Sequence, residues 1–373
     1  MTHFLSKKGR ALGSNESAHG QGVKRATIKD VARLAGVSLS TVSNALNDRS
    51  GKMAQETADR VQSAIDTLGY VPHGPARQLK RGYANIIGVL VPSVANPFWG
   101  EFVRAVEEAA FPLDFGVLVG SSDRSRERER AYAEAMYQQG IRAVIFASSP
   151  VSLEHLAALA GRGLFIVTFD RRFHEGDFAN VDGVTVDNVH GSTMATQHLL
   201  GLGHRRIGFL SGPIETESRK ERYDGYRAAL AAAGVAPRVA WVWEGYGDGD
   251  RDFGDAAAAD LGREGAAELL SRPGPVTAIV AINDMIALGA YAGVRSAGLK
   301  VGGDVSIVGF DDIVLAGLVE PGLSTIRQPI RLMAKAAVDR LVGRLHPDAD
   351  SGRVIPHDFK PELVVRASTG PPP

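Results

Sequence analysis

Short apolar runs alternate with longer amphipathic stretches over most of this chain, from residue 86 onward. The first four runs are "IIGVLVP", "FGVLVG", "AVIFAS" and "LFIVTF". The amphipathic stretches that separate them cover residues 98–111, 125–139 and 152–161. Continuous apolar strands of this length, separated by helices, are typical of βα units around a parallel sheet that is buried on both faces.

The same alternation begins again further along the chain. Strands are predicted at "RIGFLSG", "TAIVAIND" and "SIVGFDD", with helices near 188–201, 217–233, 253–271 and 284–297. Two sets of similar size predict two α/β lobes over residues 85–373. Ligands of open parallel sheets bind beyond the carboxyl ends of the strands, so we expect a binding cleft between the lobes.

The net charge of zero hides an asymmetry between the two ends of the chain. Residues 1–85 hold 13 Lys and Arg against 6 Asp and Glu, whereas the rest holds 29 against 36. This distribution favours a nucleic-acid-binding end joined to an acidic body, although a basic tail that only aids solubility is an alternative. The absence of cysteine excludes disulfides and thiolate sites. No apolar run is long enough to span a membrane, and no secretory signal is visible, so we expect a cytoplasmic protein.

Residues 27–47, "TIKDVARLAGVSLSTVSNALN", have the spacing of a helix-turn-helix unit. Gly36 falls at the turn, and Thr27 and Ser38 are predicted to cap the two helices, the first with Asp30 at its third position. The apolar residues predicted to pack the helices together are Val31, Ala35, Val37, Val42 and Ala45. A plain αα-hairpin is the alternative.

The second helix of this unit is unusually rich in hydroxyl groups. Ser and Thr hydroxyls commonly donate to DNA phosphates, and side chains in the first turn of such a helix face base edges. Leu39, Ser40 and Asn44 are therefore the predicted base-reading residues, while Thr41 and Ser43 are expected to hold phosphates or to cap locally. Leucine can touch a thymine methyl and asparagine can bridge adenine, so weak direct readout of guanine is expected.

These residues closely resemble the amino-terminal signature of the LacI/GalR family of bacterial transcriptional repressors. The similarity extends over roughly residues 26–368 and includes "GYVPHGPARQLKRG", "HRRIGFLSGP", "AINDMIALGA", "VGFDD" and "KPELVVRAST". It implies a homodimer that binds a pseudo-palindromic operator, with a small effector, often a sugar, between two lobes that resemble a periplasmic binding protein. The predicted division is a disordered basic arm (1–25), a helix-turn-helix domain (26–71), a hinge (72–84) and a two-lobed effector and dimerisation domain (85–373).

The resemblance also assigns the DNA contacts. Leu79 falls where a hinge leucine is wedged into the minor groove, although it could be a simple packing residue of a linker. Gly74 and Pro75 disfavour helix, so we expect a hinge helix that starts late and orders only on the operator. The full predicted DNA-binding set is Thr27, Ser38, Leu39, Ser40, Thr41, Ser43, Asn44 and Leu79.

Eight residues match the family's effector-binding positions. They are Phe98, Trp99, Asp170, Ser218, Arg222, Tyr246, Asn283 and Asp311. Carboxylates accept hydroxyl hydrogen bonds, arginine donates several, and an aromatic face can cover the C–H groups of a sugar ring, so a carbohydrate or polyol effector is expected. As alternatives, Asp311 could cap the following helix, Arg222 could form surface ion pairs, and Trp99 could belong to the core.

The motifs of common enzymes are missing from the sequence. There is no G-x-x-x-x-G-K-[ST] loop, no G-x-S-x-G elbow and no H-E-x-x-H pair. We therefore predict no catalytic residues, no metal site and no cofactor. The rival interpretations are a two-lobed sugar-binding receptor and a sugar-processing enzyme with a DNA-binding arm. A nucleoid-associated, dimeric bacterial regulator with no membrane partner is the preferred hypothesis.

Overall fold

The computed structural model describes residues 26–46, 53–70, 82–172, 174, 176–245, 257–346 and 358–373. The chain divides into two compact units, Met1–Lys80 and Arg81–Pro373. Within the described residues, no helix is both long enough and apolar enough to cross a membrane.

The described part of the first unit consists of three helices, α1 (Ile28–Ala35), α2 (Leu39–Ala45) and α3 (Gln55–Leu68). The predicted caps are present. The Asp30 carboxylate accepts hydrogen bonds from the backbone N–H of Thr27 (2.9 Å) and from its hydroxyl (2.6 Å), and the Ser38 hydroxyl accepts one from the N–H of Thr41 (3.1 Å). Gly36 ends α1 with a φ of 66°, a left-handed conformation that favours glycine.

A small apolar core holds these helices together. Its buried members are Val31, Ala32, Ala35, Val42, Val61, Ala64 and Tyr70, with Val37 and Ala45 partly buried against them. The third helix contributes Val61 and Ala64 to this core. The first two helices are therefore not an isolated αα-hairpin but part of a three-helix unit.

The second unit contains two six-stranded sheets, and its elements are numbered here in chain order. The first sheet is entirely parallel and has the order β11-β5-β4-β3-β1-β2. Its strands are β1 (Ile86–Val91), β2 (Gly116–Ser121), β3 (Ala143–Phe146), β4 (Phe165–Phe169), β5 (Val181–Val186) and β11 (Asp358–Phe359). The helices that follow its strands in the chain are α4 (Pro97–Ala110), α5 (Arg126–Gln138), α6 (Ala157–Gly161) and α7 (Asn188–Gly201), of which α7 packs against the second sheet.

The second sheet has the order β12-β10-β9-β8-β6-β7 and is parallel except for β12, which pairs antiparallel with β10. Its strands are β6 (Ile207–Leu210), β7 (Val242–Trp243), β8 (Ala278–Ala281), β9 (Ser306–Asp311), β10 (Ser324–Arg327) and β12 (Glu362–Val364). The remaining helices are α8 (Glu217–Ala232), α9 (Ala258–Ser271), α10 (Asp284–Ser296) and α11 (Ile330–Leu345). The prediction of two α/β lobes is confirmed.

The lobes are not two consecutive halves of the chain, which the sequence pattern did not reveal. After β10 the chain returns to the first lobe, where α11 packs on α4 and on β3–β5 and where β11 joins the sheet. It then crosses back as β12. The apolar side of α11 predicts that one face of the helix is buried. An apolar stripe does not specify, however, which of the two sheets the helix covers.

Strand ends bring the polar residues of the second unit together. Asp170 follows β4 in the first lobe, while Asn283 follows β8 and Asp311 ends β9 in the second. Helix α10, which begins directly after Asn283, lies very close to α9: a Cβ added at Gly289 would be 2.0 Å from the Ala259 carbonyl oxygen. This close packing requires glycine, and Asn283 is held at the start of α10 by its own side chain, which accepts a hydrogen bond from the N–H of Ile286 at 2.9 Å.

Candidate functional site

The predicted base-reading residues lie on the solvent-exposed side of α2. Leu39 is 45% exposed, and Ser40 and Asn44 are also exposed, whereas Val42 on the same helix is completely buried. An exposed leucine in the first turn of a recognition-type helix is available for apolar contact with a base.

The hydroxyls of α2 form a local cluster around its cap. The Ser38 oxygen lies 2.7 Å from the Ser40 oxygen and 2.8 Å from the Thr41 oxygen. Thr41 and Ser43 are half-buried. The hydroxyl of Thr41 thus contacts the cap residue Ser38, while the roles of these residues toward DNA stay predictions. Leu79 and the hinge expectation, together with the arm of residues 1–25, lie outside the described residues.

In the second unit, one cavity gathers the predicted effector-binding residues. It measures about 390 Å³, including the part open to solvent, and is called the effector pocket below. The predicted residues that line it are Phe98, Trp99, Asp170, Ser218, Arg222, Asn283 and Asp311. Tyr246 lies outside the described residues.

Arg222 of α8 is the central cation of the effector pocket. Its Nε donates to Asn188 Oδ1 (2.8 Å) and its Nη1 to the Ile282 carbonyl oxygen (2.7 Å). Its Nη2 donates to Asp170 Oδ2 at 3.4 Å, and its Nη1 lies 3.8 Å from Asp311 Oδ1. Arg222 as a whole is 7% exposed, and its guanidinium lies over the ring of Phe310. The alternative that Arg222 forms surface ion pairs is therefore wrong.

Two buried carboxyl groups flank Arg222. Asp170 has a φ of 60° and Asp311 a φ of 121°. Residues other than glycine rarely adopt such values, so the backbone that positions these two side chains at the strand ends is strained. Burial raises the pKa of Asp170, while Arg222 and the hydrogen bond from Asn188 partly oppose that shift. Asp311 accepts a hydrogen bond from Gln328 at 2.8 Å. It does not cap the following 3₁₀ turn, which has no side-chain cap, so that alternative is wrong.

The aromatic wall of the effector pocket is also part of the first lobe's core. Phe98 and Trp99 pack edge to face, with ring centroids 4.8 Å apart, and both contact Phe169. Trp99 is buried yet lines the cavity, so the core interpretation and the pocket interpretation both describe it.

Several residues of the site were not predicted from the sequence. Asn96, Arg124 and Arg219 also line the effector pocket, and Asn188 and Gln328 hold its charged groups. Most of them lie immediately after a strand or in the first turn of a helix, and this position is the sequence signal that could have identified them. Without knowing which strands are neighbours, however, that signal does not select them from other polar residues at strand ends.

Directly after Asn283 lies a fully buried acid, Asp284. Its oxygens accept hydrogen bonds from the Thr325 hydroxyl (2.5 Å) and from the N–H of Ile313 (2.9 Å). Burial raises the pKa of Asp284 well above its usual range, and the nearby Asp311 raises it further. The protonated acid therefore persists to higher pH in the folded state than in the unfolded chain.

We expect the substitution Asp284→Asn to stabilise the protein at pH 8. A pKa that is raised in the folded state gives stability at low pH that is lost as pH rises, because the buried carboxylate then costs free energy. Asparagine stays neutral, and it can accept from Ile313 and donate to the Thr325 oxygen. The gain in unfolding free energy should be on the order of 1 kcal/mol at pH 8 and should shrink toward pH 5. Denaturant melts at both pH values measure it.

The matched control for this substitution is Asp260→Asn on the exposed side of α9. The control should change the unfolding free energy little at either pH. A stability difference for Asp284→Asn that is the same at pH 5 and pH 8 would contradict the expected preference for a protonated side chain.

Two family models match the chain. Residues 27–73 match "Bacterial regulatory proteins, lacI family", and residues 196–369 match "Periplasmic binding protein-like domain". Among curated relatives, the regulator DegA of Bacillus subtilis (strain 168) is 33% identical over 93% of this chain and 99% of its own length. The regulator GalR of Escherichia coli (strain K12) is 33% identical over 93% of this chain and 96% of its own.

Solved structures agree with these relatives. The Lac repressor dimer bound to operator and the anti-inducer ONPF superimposes with a TM-score of 0.78 at 28% identity, covering 93% of this chain and all of that one. A complex of the transcriptional regulator CelR with cellobiose gives a TM-score of 0.67 at 29% identity, covering 92% and 100%. The relatives are DNA-binding transcriptional regulators and not enzymes, which confirms the predicted class. This chain therefore belongs to the LacI family of bacterial transcriptional regulators.

Proposed function

We propose that this regulator is a dimeric repressor of a pseudo-palindromic operator and that a sugar or polyol in the effector pocket sets its affinity for DNA. The proposed effector class rests on one observation, the arrangement of Asp170, Arg222 and Asp311 in one buried cavity beside Trp99. Two carboxyl groups and a guanidinium offer hydrogen bonds to vicinal hydroxyls, and the indole offers an apolar face for ring C–H groups.

The geometry supports an allosteric mechanism in which the effector bridges the two lobes. Asp170 belongs to the first lobe, whereas Arg222, Asn283 and Asp311 belong to the second. The 3.4 Å contact between Arg222 and Asp170 already joins the lobes across the cavity. A ligand bonded to both sides binds one lobe arrangement more tightly than another, and this differential affinity is what can change the population that binds operator.

The ligand of one similar solved structure is consistent with this class. One similar structure holds cellobiose, and another is a repressor with bound operator. By the same reasoning, we propose a division into an arm (1–25), a helix-turn-helix domain (26–71), a hinge (72–84) and an effector domain (85–373), with Leu79 as the hinge residue that contacts DNA. A cytoplasmic, nucleoid-associated location follows from operator binding.

The effector class is tested by operator binding in the presence of a metabolite panel. Operators are first selected from random DNA by the full-length protein, and fluorescence anisotropy of the selected DNA is then titrated with sugars, polyols, purines and amino acids. A sugar or polyol should shift both the melting temperature and the operator affinity. A purine that does both while no sugar does either would contradict the proposal.

For the DNA side, we expect Asn44→Ala to relax base preference at one operator position in each half-site. A bidentate asparagine–adenine pair contributes about 1–3 kcal/mol of discrimination, so the preference should fall by about tenfold or more at that position. Effector affinity should not change, because Asn44 lies in the first compact unit. Repeating the operator selection with the variant measures the effect, and an unchanged preference at every position would show that Asn44 reads no base.

A further inference from the structure

A second, larger cavity adjoins the effector pocket and is rich in arginine. It measures about 870 Å³, including the part open to solvent, and is called the outer cavity below; its wall includes Arg124, Arg126, Ser148, Thr216 and Arg219. Arg124 and Arg219 line both cavities, so the two spaces meet at these guanidinium groups. A substituent of a ligand in the effector pocket can therefore extend into the outer cavity.

The two shared arginines are held in place by backbone oxygens. Arg124 Nη1 donates to the carbonyl oxygen of Ser148 at 3.0 Å, and Arg219 Nη1 donates to that of Pro213 at 2.8 Å. These bonds anchor one cation on the first lobe and one on the second. Arg126, which is exposed, adds a third guanidinium at the rim.

Two helices begin at the outer cavity. Helix α5 starts at Arg126, with Ser125 as its cap, and α8 starts one residue after Thr216, which is its cap. The amino-terminal end of a helix carries partial positive charge and backbone N–H groups that favour anions. Helix dipoles from both lobes therefore add to the three guanidinium groups.

The acidic residues of the wall offset this charge only in part. Asp123 forms an ion pair with Arg128, and Glu129 Oε2 lies 3.0 Å from His155 Nε2. Solvent screens the third acid, Glu215, and Arg126 alike, because both are exposed. With Asp123 paired to Arg128, three guanidinium groups face two carboxylates, Glu129 and Glu215, so the wall keeps a small positive excess.

A buried hydroxyl on the wall points to a ligand independently of the charges. Ser148 is 4% exposed, and its Oγ makes no hydrogen bond within the part of the chain that the structure describes. A buried hydroxyl without a partner costs free energy, and such groups usually have a hydrogen-bond partner in the protein or in ordered water. An oxygen atom of a ligand in the outer cavity would satisfy it.

We propose that the outer cavity binds an oxyanion, a phosphate or a carboxylate, that is part of the effector. The effector is then a sugar phosphate or a sugar acid, whose polyol part lies in the effector pocket while its anionic group contacts Arg124, Arg126, Arg219 and Ser148. This inference rests on the proposed function, since it assigns the chemistry of the same effector. Arginine forms charge-assisted hydrogen bonds to both kinds of oxyanion, often in pairs.

The test compares matched ligands on the full-length protein by calorimetry. The pairs are ribose with ribose 5-phosphate, glucose with glucose 6-phosphate, and glucose with gluconate and glucuronate. An anionic ligand should bind about tenfold or more tightly than its neutral partner, as expected for charge-assisted bonds. The phosphate and carboxylate arms identify which oxyanion is preferred. Neutral sugars that bind as tightly as every anionic counterpart would overturn the inference.

Substitution of Arg126 tests the site itself. Arg126→Gln should remove most of the preference for the anionic ligand, about tenfold in Kd, and leave the affinity for the neutral sugar unchanged. The control is Arg130→Gln, an exposed residue on the same helix that pairs with Glu134, and it should change neither affinity. A preference that survives in both Arg126→Gln and Arg126→Glu would contradict the proposal.

Inorganic phosphate alone separates this inference from the proposed function. If no polyol of either kind binds, the sugar class of the effector is wrong. Phosphate that binds the wild type and is weakened by Arg126→Gln would still support an oxyanion site in the outer cavity. If phosphate also fails to bind, the inference is wrong as well.

Discussion

Replacing Arg222 by alanine is expected to abolish the response to effector and to destabilise the second unit. Arg222 is the only cation that the structure shows in direct ion-pair contact with both Asp170 and Asp311 among the described residues. Removal of one partner of a buried ion pair costs about 3–5 kcal/mol, because the remaining charge is left uncompensated. The loss of its hydrogen bonds to ligand should weaken effector binding by about a hundredfold or more. Denaturant melts and operator titrations with effector measure the two effects.

The pH dependence of this variant distinguishes lost electrostatics from lost packing. Burial already raises the pKa of Asp170, and Arg222 opposes that shift. Without Arg222 the pKa of Asp170 rises further, and a raised pKa in the folded state means stability that is present at low pH and lost as pH rises. The deficit of Arg222→Ala in unfolding free energy should therefore be smaller at pH 5 than at pH 8.

The control for Arg222→Ala is Arg227→Ala on the exposed face of the same helix, where the guanidinium lies 4.0 Å from Asp224. An exposed pair of this kind contributes about 0–1 kcal/mol, so the control should keep both stability and effector response. If effector still changed the operator affinity of the Arg222→Ala variant, Arg222 would not be required for the response to effector.

The resemblance to the family gave seven residues that line the effector pocket, and three of these also lie where strands end. Asp170, Asn283 and Asp311 each follow or end an apolar run, and in a parallel sheet such positions converge at one edge. The helix-turn-helix could be predicted for a similar reason, since Gly36 and the caps at Thr27 and Ser38 are local signals.

Partners that depend on tertiary packing could not be predicted in this way. Asn188 contacts Arg222 because α7 packs beside α8, and Gln328 reaches Asp311 because β10 lies next to β9. Hydrophobic periodicity indicates which side of an element is buried but not which other element covers it. It therefore predicts neither of these two contacts. The return of α11 to the first lobe escaped prediction for the same reason.

Replacement of Val42 by asparagine is expected to abolish operator binding while effector binding remains. Val42 is completely buried in the small core of the first unit, which has few other apolar side chains to compensate. An amide in this position loses apolar packing and buries polar groups without partners, at a cost of about 3 kcal/mol or more, a large fraction of the stability of a unit this small. Anisotropy with operator DNA and calorimetry with effector measure the two activities in the same preparation.

Leu34→Asn is the matched control for Val42→Asn, because it makes the same kind of change on the exposed side of α1, where Leu34 is 54% exposed. It should leave the first unit folded, as judged by amide dispersion in NMR spectra. Every residue that lines the effector pocket belongs to the second unit, and none belongs to the core around Val42. Wild-type operator affinity in Val42→Asn would mean that this core does not hold the reading helix in place. Loss of effector binding in the same variant would mean that the second unit does not keep its pocket independently of the first.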